Sequence, residues 1–479
     1  MKEEFDVFIV GGGAAGSLAA QVLCEQGLRV LLADAGPGLD AEQDPRSRNF
    51  SYQSSSYAFS EKTMDFFADD DDLNMRSTGK EVFQWMHARG LGGRSLLWQG
   101  VCPRFTENEF ETIDNGAWTE TWPIGLRELE PYYKKVEKRF GLRCFSSPSK
   151  TRTLERLRQC LGIEIDHCPY IPLHFRKPAA AFRRMVGGSL AAGLLDNRSG
   201  LEIRCRALAT RLSYDSVTRR AEALHYIDLD TGKPVEVTAR TFLLCASTLE
   251  TTRILQNSTS AAYPDGIGSH TEALGRFLMT HFKGVSLATG AAMGGDYLRS
   301  PEALFYAYFQ EDFCKTRDFH RGWGLQVRCE AGGETLKFNN YGEDLPYFDN
   351  TARVDRQKTD RWGRPCLALS YQYGTNEENM RLAQVGWMQE IAQRLKLEDF
   401  TIAETLANPG RNNHEVGTAR MGTDIRTSVL NGKNQVWTCP NVYVTDGACF
   451  TTSGYQNPTL TILALTWRAC ENILREQAA

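Results

Sequence analysis

Apolar residues recur along the chain in two rhythms, and each predicts its own kind of element. The short continuous run Val7-Phe-Ile-Val10 has the pattern of a strand buried on both faces. A helix is predicted over 17–26, with Leu18, Val22 and Leu23 on one side; Gly27 ends it before a second strand, Arg29-Val-Leu-Leu-Ala33. Far along the chain, Val442-Tyr-Val-Thr445 reads as an apolar strand, and a helix over 459–474 carries Leu460, Leu463, Ala464 and Trp467 at helical spacing. Between these ends, Trp122-Pro-Ile-Gly-Leu126 predicts a turn into an amphipathic helix over 129–140 whose charges form a solvated face. The stretch 285–372 is strand-like, with Gly290, Gly294-Gly295, Gly332-Gly333 and Gly342 as turn signals. A long helix over 377–395 places Met380, Leu382, Val385, Ile391 and Leu395 mostly on one face. His225 alternates within Ala-Leu-His-Tyr-Ile-Asp like a strand residue of a surface hairpin.

Length and composition narrow the class. At 479 residues the chain predicts two or three domains. A formal charge of -4 with 24% charged residues leaves no nucleic-acid footprint. None of the 13 cysteines sits in a Cys-x-x-Cys pair, and Cys102, Cys245 and Cys470 lie in apolar or helical surroundings where cysteine acts as a small hydrophobe. Their odd number and spacing favour a reducing compartment. No apolar run approaches the roughly 20 residues that span a bilayer, and Met-Lys-Glu-Glu-Phe-Asp leads directly into a strand without a leader pattern. The expectation is a soluble, cytoplasmic protein. No metal site is expected, and no Cys or Cys-His run suggests haem or an iron–sulfur cluster.

The first strand, helix and second strand form a βαβ unit around Gly11-Gly-Gly13-Ala14-Ala15-Gly16. Glycines at this turn permit close backbone approach, so a pyrophosphate can rest on a helix N-terminus, where free N–H groups and the helix dipole favour anions. Asp34, followed by Ala35, ends the second strand 21 residues after Gly13, where an acidic side chain binds a ribose hydroxyl. This fingerprint alone does not distinguish FAD from NAD.

Proton chemistry is suggested by the tail. His414-Glu-Val-Gly417-Thr-Ala-Arg-Met-Gly422 lies between Pro409-Gly410 and Gly417, on a predicted loop, where catalytic groups concentrate. A neutral imidazole suits removal of a proton near pH 7. Asn457 lies 43 residues downstream and precedes Pro458, which biases it to an extended conformation at the mouth of the helix opened by Thr459. An amide there can hold a hydroxyl without titrating.

These motifs together resemble the glucose-methanol-choline (GMC) oxidoreductases, flavoenzymes that take a hydride from an alcohol, and the resemblance runs over essentially the whole chain. The segment Arg89-Gly-Leu-Gly92-Gly93-Arg-Ser95-Leu-Leu97-Trp98 is similar to the family loop that runs along the ribityl-diphosphate. Residues 201–207, ending in Ala207, and then 211–214 resemble the strand pair at the adenine. Thr241-Phe-Leu-Leu-Cys-Ala246-Ser247 with Leu249-Glu250 resembles the crossover that completes the cofactor domain, and Gly275–His281 resembles the loop after it. Asp446-Gly447 falls where the family contacts ribityl and phosphate groups.

The implied cofactor is FAD, with its N5 accepting the hydride. Some sugar oxidases of the family bond flavin to a histidine before the loop tryptophan; Leu97 stands there, implying non-covalent FAD. The resemblance further implies His414 as base and Asn457 as hydroxyl anchor, with the Asn457-Pro458-Thr459 helix mouth aimed at the flavin ring. On family grounds His87 and His281 lie near the flavin, with structural roles favoured for both. The substrate implied, from likeness to pyranose oxidases and sugar dehydrogenases, is a sugar, amino sugar or other polyol. Either O2 or a quinone-type acceptor would reoxidise the flavin. A flavin-retaining lyase resembling hydroxynitrile lyases is the alternative; an NADPH-linked hydroxylase is disfavoured by the absence of an evident nicotinamide site. The stretch 45–80 is used by family members as a lid or homo-oligomer contact. Its Asp69-Asp-Asp-Asp72 run reads as a solvated loop or as an attractor for a cationic substrate.

The expected fold is α/β. A discontinuous Rossmann-like FAD-binding domain (1–44, 85–105, 196–284 and 405–479), of the kind shared with p-hydroxybenzoate hydroxylase, joins an α+β substrate domain on an antiparallel sheet (45–84, 106–195 and 285–404).

Overall fold

The computed structural model describes residues 4–36, 75–83, 85, 90–96, 100–144, 148–171, 199–289, 303–309, 318–329, 335–411 and 413–478. The chain opens with β1 (Glu4–Val10), α1 (Ala14–Glu25) and β2 (Val30–Ala33). After α2 (Leu126–Phe140), β3 (Leu201–Arg204) extends the sheet beyond β2, and β4 (Pro234–Leu244) pairs with the far side of β1. All these pairings are parallel, and Val7, Phe8, Ile9, Val30, Leu31 and Leu32 are fully buried. That is why β1 and β2 read as unbroken apolar runs rather than alternating ones. The hairpin 207–228 attaches to β4 and carries His225, whose Nε2 lies 2.6 Å from Ser213 Oγ. From β4 the chain turns at Ser247, in the left-handed region at φ 75°, into α3 (Thr248–Asn257).

The next stretch builds a second, antiparallel sheet. β5 (His281–Thr289), β6 (Trp323–Cys329) and β7 (Leu336–Glu343) lie in the spatial order β5-β7-β6, flanked by the strands Phe400–Ala403 and Ala303–Ala307. Gly342, expected at a turn, instead lies inside β7, where an added Cβ would stand 2.1 Å from the Phe282 ring. Its missing side chain is a packing requirement of the sheet. The other expected turn glycines, at 290, 294–295 and 332–333, lie outside the described residues. β8 (Thr351–Thr359) and β9 (Pro365–Ser370) form a hairpin whose turn ion-pairs Arg364 with Asp360 at 2.8 Å and with Glu250 of α3 at 3.0 Å. α4 (Thr375–Arg394) covers one face of the second sheet with Met380, Trp387, Met388 and Ile391. Leu382, expected on that face, is exposed and Val385 half-buried, because the polar Gln384 takes the buried slot and accepts a hydrogen bond from Val285 N at 3.0 Å.

The chain then returns to the first sheet: β10 (Cys439–Val444) pairs parallel with β4. α5 (Thr459–Ala478) packs Leu460, Leu463, Ala464 and Leu465 into the core shared with α1 and α2. Full burial of each leucine contributes about 1.5–3 kcal/mol. α1 starts at Ala14, three residues before its predicted start, and α5 runs four residues beyond its predicted end. The sites that matter lie at the C-terminal ends of β1, β2, β4 and β10, where open α/β sheets bind ligands.

Candidate active site

The glycine turn after β1 divides its labour. Gly11 has φ 94°, and a Cβ there would meet the Cys245 carbonyl oxygen at 2.4 Å. A Cβ on Gly16 would lie 1.9 Å from Gly11 O, so this glycine lets α1 pack on the turn. Gly13 differs: among the described residues nothing lies within 4 Å of an added Cβ. Beside that open side the first N–H groups of α1, from Ala14, Ala15 and Gly16, lack intrahelical partners. Asp34 fastens the turn, accepting from Gly12 N at 2.7 Å and Gly36 N at 2.8 Å. Its backbone carbonyl accepts from Ala207 N at 2.8 Å. The second glycine loop closes over this turn, with Gly92 N donating to Gly12 O at 2.8 Å and Gly93 touching Gly13. Ser95 Oγ donates back to Gly92 O at 2.5 Å. Backbone without side chains on two sides, next to a helix N-terminus, fits the diphosphate of FAD. Arg89, Leu97, Trp98, His87 and the Asp69–Asp72 run lie outside the described residues.

Arg94, in that second loop, reaches towards the tail. Its Nη1 donates to Asn413 O at 2.7 Å and lies 2.6 Å from Glu415 Oε2, so it grips both neighbours of His414. Its Nε and Nη2 are buried with no hydrogen-bond partner among the described residues. Asn413 itself has φ 59°, a conformation asparagine tolerates better than most residues.

A single backbone bridge explains how His414 meets a residue 133 positions earlier. Met279 and Val416 exchange both backbone hydrogen bonds, at 3.0 and 2.9 Å, as an antiparallel pair. Two residues on from one and two back from the other, on the same side of such a pair, stand His281 and His414. Their Nδ1 atoms are 2.9 Å apart. His414 Nε2 lies 3.1 Å from Asn457 Nδ2, and Gln326 Nε2 of β6 donates to Asn457 Oδ1 at 3.2 Å. His281 Nε2 faces the Ser453 carbonyl at 3.3 Å; Ser453 Oγ is in turn held by the Asp344 backbone, 3.2 Å from both its N and its O.

Both imidazoles are held neutral. Burial brings His281 down to about 4. His414 is held well below the usual imidazole range by burial first, then by His281 and Arg94. Burial also lifts Glu343, opposite His281 in register, up to about 7. Asp446 follows the same cause, up to about 6, and both its oxygens are engaged, by the Thr251 hydroxyl and by Ala448 N. In this structure its carboxylate therefore caps the short turn 447–449. Gly447 is a packing glycine, since a Cβ would strike Thr248 Oγ1 at 2.5 Å. Ala246 abuts Gly11. Asn457, Pro458 and Thr459 stand at the mouth of α5 as the sequence predicts. His281 and Arg94 carry no predicted role in the sequence beyond proximity or loop membership, and the structure puts both against His414.

Comparison with known proteins places the chain among similar oxidoreductases. Residues 348–466 match the family model described as GMC oxidoreductase, and residues 9–68 match the NAD(P)-binding Rossmann-like domain. The chain is 27% identical to paromamine 6'-oxidase of Streptomyces fradiae over 98% of its length and 91% of the relative's. It is 25% identical to 2-methyl-1,2-propanediol dehydrogenase of Mycolicibacterium austroafricanum over 99% and 96%. The crystal structure of pyridoxine 4-oxidase from Mesorbium loti superposes with a TM-score of 0.67 at 19% identity, covering 98% of this chain and 99% of that one, which shows a shared fold. These relatives bear oxidase and dehydrogenase names, and the lyase alternative finds no support among them. No helix among the described residues is long and apolar enough to cross a membrane. With the GMC oxidoreductase model matching its C-terminal part and oxidases and dehydrogenases of alcohols and sugars similar to it over nearly its whole length, the chain is an FAD-dependent oxidoreductase acting on CH–OH groups.

Proposed function

We propose that the substrate is a small polyhydroxylated molecule, a sugar, amino sugar or other polyol, with His414 as the base and Asn457 as the hydroxyl anchor. The observation that carries this reading is the 3.1 Å pairing of His414 Nε2 with Asn457 Nδ2. An alcohol entering this notch donates its proton to Nε2 while its oxygen accepts from the amide. Gln326 occupies Asn457 Oδ1 and so keeps the amide N–H turned towards the notch. Removing the hydroxyl proton as the C–H bond weakens is worth roughly 10²–10⁴ in rate for a positioned base. Bound FAD supplies the hydride acceptor. Gly11, Gly13, the α1 N-terminus, Asp34, Gly92, Gly93 and Arg94 would hold it, without a covalent link.

The polarity of the second sheet supports a hydroxylated substrate. Trp323, Leu325 and Val327 of β6 and Leu336 and Phe338 of β7 pack under α4. Side chains alternate across a sheet, so Gln326, Asn339 and Tyr341 project to the opposite face, the one on which Gln326 meets Asn457. Relatives named paromamine 6'-oxidase and fructose dehydrogenase large subunit are in keeping with such a substrate. The 13 cysteines, odd in number and with none in a Cys-x-x-Cys pair, suit a reducing compartment such as the cytoplasm.

The test is anaerobic titration of the yellow holoprotein with a panel of sugars, amino sugars, polyols and simple alcohols, followed by air. Bleaching by polyhydroxylated members is expected; bleaching by simple alcohols alone would overturn the substrate class. Recovery of colour on admitting air identifies O2 as an acceptor, and recovery only with a quinone identifies a dehydrogenase.

A further inference from the structure

We propose that His281 is a positioning residue that fixes the tautomer of His414, and so decides which of its nitrogens is free to take the alcohol proton. The inference rests on the reading of His414 as base. It follows from a chain of groups with one end that admits no alternative: a backbone carbonyl can only accept.

That end is Ser453 O, 3.3 Å from His281 Nε2. The proton of neutral His281 therefore sits on Nε2, and its Nδ1 carries a lone pair. The Nδ1 of His414, 2.9 Å away, must then be the donor of that pair. With its proton committed to Nδ1, neutral His414 has a bare Nε2, and that atom faces Asn457 Nδ2, which only donates. Each of these three contacts is satisfied in this arrangement. Turning over both tautomers sets the His281 Nε2 lone pair against the Ser453 carbonyl and a His414 Nε2–H against the Asn457 amide protons. Turning over His414 alone sets two Nδ1 lone pairs against each other.

Backbone geometry holds this arrangement in place. The Met279–Val416 bridge fixes the two imidazoles side by side, and the Asp344 backbone fixes Ser453. The titratable and charged groups around the pair are Arg94 with Glu415 on the His414 side and, on the His281 side, the buried carboxyl groups of Glu343 and Asp344 at the end of β7, with Arg321 3.7 Å from Glu343. When His414 takes the alcohol proton at Nε2, both its nitrogens are protonated, and Nδ1 keeps donating to His281. His281 is fully buried and held neutral, so the proton stays on His414 and is not passed to the interior.

The experiment uses the oxidised holoenzyme labelled with ¹⁵N-histidine. Long-range proton–nitrogen correlations distinguish a protonated from a bare ring nitrogen, and the His414 and His281 signals are assigned from single variants. The expected result near neutral pH is Nδ1–H with bare Nε2 for His414 and the reverse for His281. An Nε2–H tautomer at His414 would overturn the proposal whatever the rates of the variants. Three substitutions then separate tautomer control from packing. His281→Asn places an amide oxygen near the former Nδ1 and should keep flavin reduction within about tenfold of wild type. His281→Gln carries its amide to the former Nε2 position, leaving no acceptor for His414, and His281→Phe removes both contacts. These two should slow anaerobic flavin reduction by about 10²–10⁴, the range of a misdirected imidazole, while retaining FAD. Wild-type reduction rates in FAD-loaded Gln and Phe variants would refute the proposal. Unchanged reduction in His414→Ala would instead sink the base assignment and leave the measured tautomers standing.

Discussion

The three glycines of the first turn are interchangeable in a motif but not in this structure, and that difference gives a sharp test of where the cofactor diphosphate lies. Consider Gly13→Ala and Gly16→Ala. At Gly16 the new methyl would sit 1.9 Å from the Gly11 carbonyl oxygen, a backbone atom that cannot rotate away. The helix must lift off the sheet, and overpacking of this kind costs about 1–3 kcal/mol or more in the apoprotein. At Gly13 the backbone already has φ -70° and ψ -163°, which alanine adopts freely, and among the described residues no atom lies within 4 Å of the new methyl. The fold should therefore change by less than about 1 kcal/mol, the difference between glycine and alanine as a helix N-cap. The same methyl would, however, occupy the side on which the diphosphate must approach the α1 N–H groups. A clash of about 1–3 kcal/mol there weakens FAD binding roughly 5- to 150-fold. Urea unfolding of the two apoproteins and FAD titration followed by flavin fluorescence give both quantities. Gly13→Ala that binds FAD like wild type, or that loses as much apo stability as Gly16→Ala, would refute this placement.

Two further outcomes follow from buried carboxylates. Asp34→Ala should weaken FAD binding by about 1–3 kcal/mol, and should also lower the apoprotein melting temperature because Gly12 N and Gly36 N lose their acceptor; unchanged FAD retention would remove Asp34 from the site. Arg364→Met takes from Asp360 and Glu250 their nearest guanidinium and leaves the more distant Arg253, at 3.8 and 3.7 Å, and breaking such a buried network costs about 3–5 kcal/mol. A urea midpoint within error of wild type would show that this cluster does not hold the β8–β9 hairpin to α3.

How much of this was readable from residues alone depends on the range of the interaction. The βαβ unit and its glycines are local, set by strand, turn and helix within 34 residues, and they appear in the structure with only the helix start displaced. Ala14-Ala-Gly16 carries no side-chain cap to mark that start; Gly13 serves as N-cap through backbone alone. The last turn of α5 is charged, so apolar periodicity stops at Leu474 while helix-forming residues continue. The His414 and Asn457 pairing could be suspected because each has a motif around it. His281 could not be joined to His414 in this way. Their contact depends on a two-bond bridge between segments 137 residues apart, which leaves no periodic trace. Arg94 is the same kind of case: an arginine in a glycine-rich loop declares nothing until Glu415 and the Asn413 carbonyl arrive beside it. Gly342 misled for the opposite reason, since turns and close packing select the same residue, and only the Phe282 ring above it tells which applies.

Arg94 also offers the most discriminating test of the base. On the proposed role of His414 as base its working form is the neutral one, so flavin reduction should fall as pH drops through its pKa and level off above it. Because burial, His281 and Arg94 all push that pKa down, the acid limb in wild type should lie below the ordinary histidine value of 6.5. Arg94→Met removes one cation and leaves Glu415 unpaired beside the imidazole. Both changes favour the imidazolium, so the limb should move to higher pH. Adding Glu415→Gln removes the orphaned carboxylate and should return the limb part of the way towards wild type. His414→Ala should have no such limb, and its plateau should be lower by roughly 10²–10⁴. Anaerobic stopped-flow reduction with one good substrate across pH reads all four proteins on one scale. If the limb stays in place in Arg94→Met, or persists in His414→Ala, the titrating group is not His414. Restoration of the limb by the second substitution, with FAD still bound, would tie its position to charge rather than to a distorted loop.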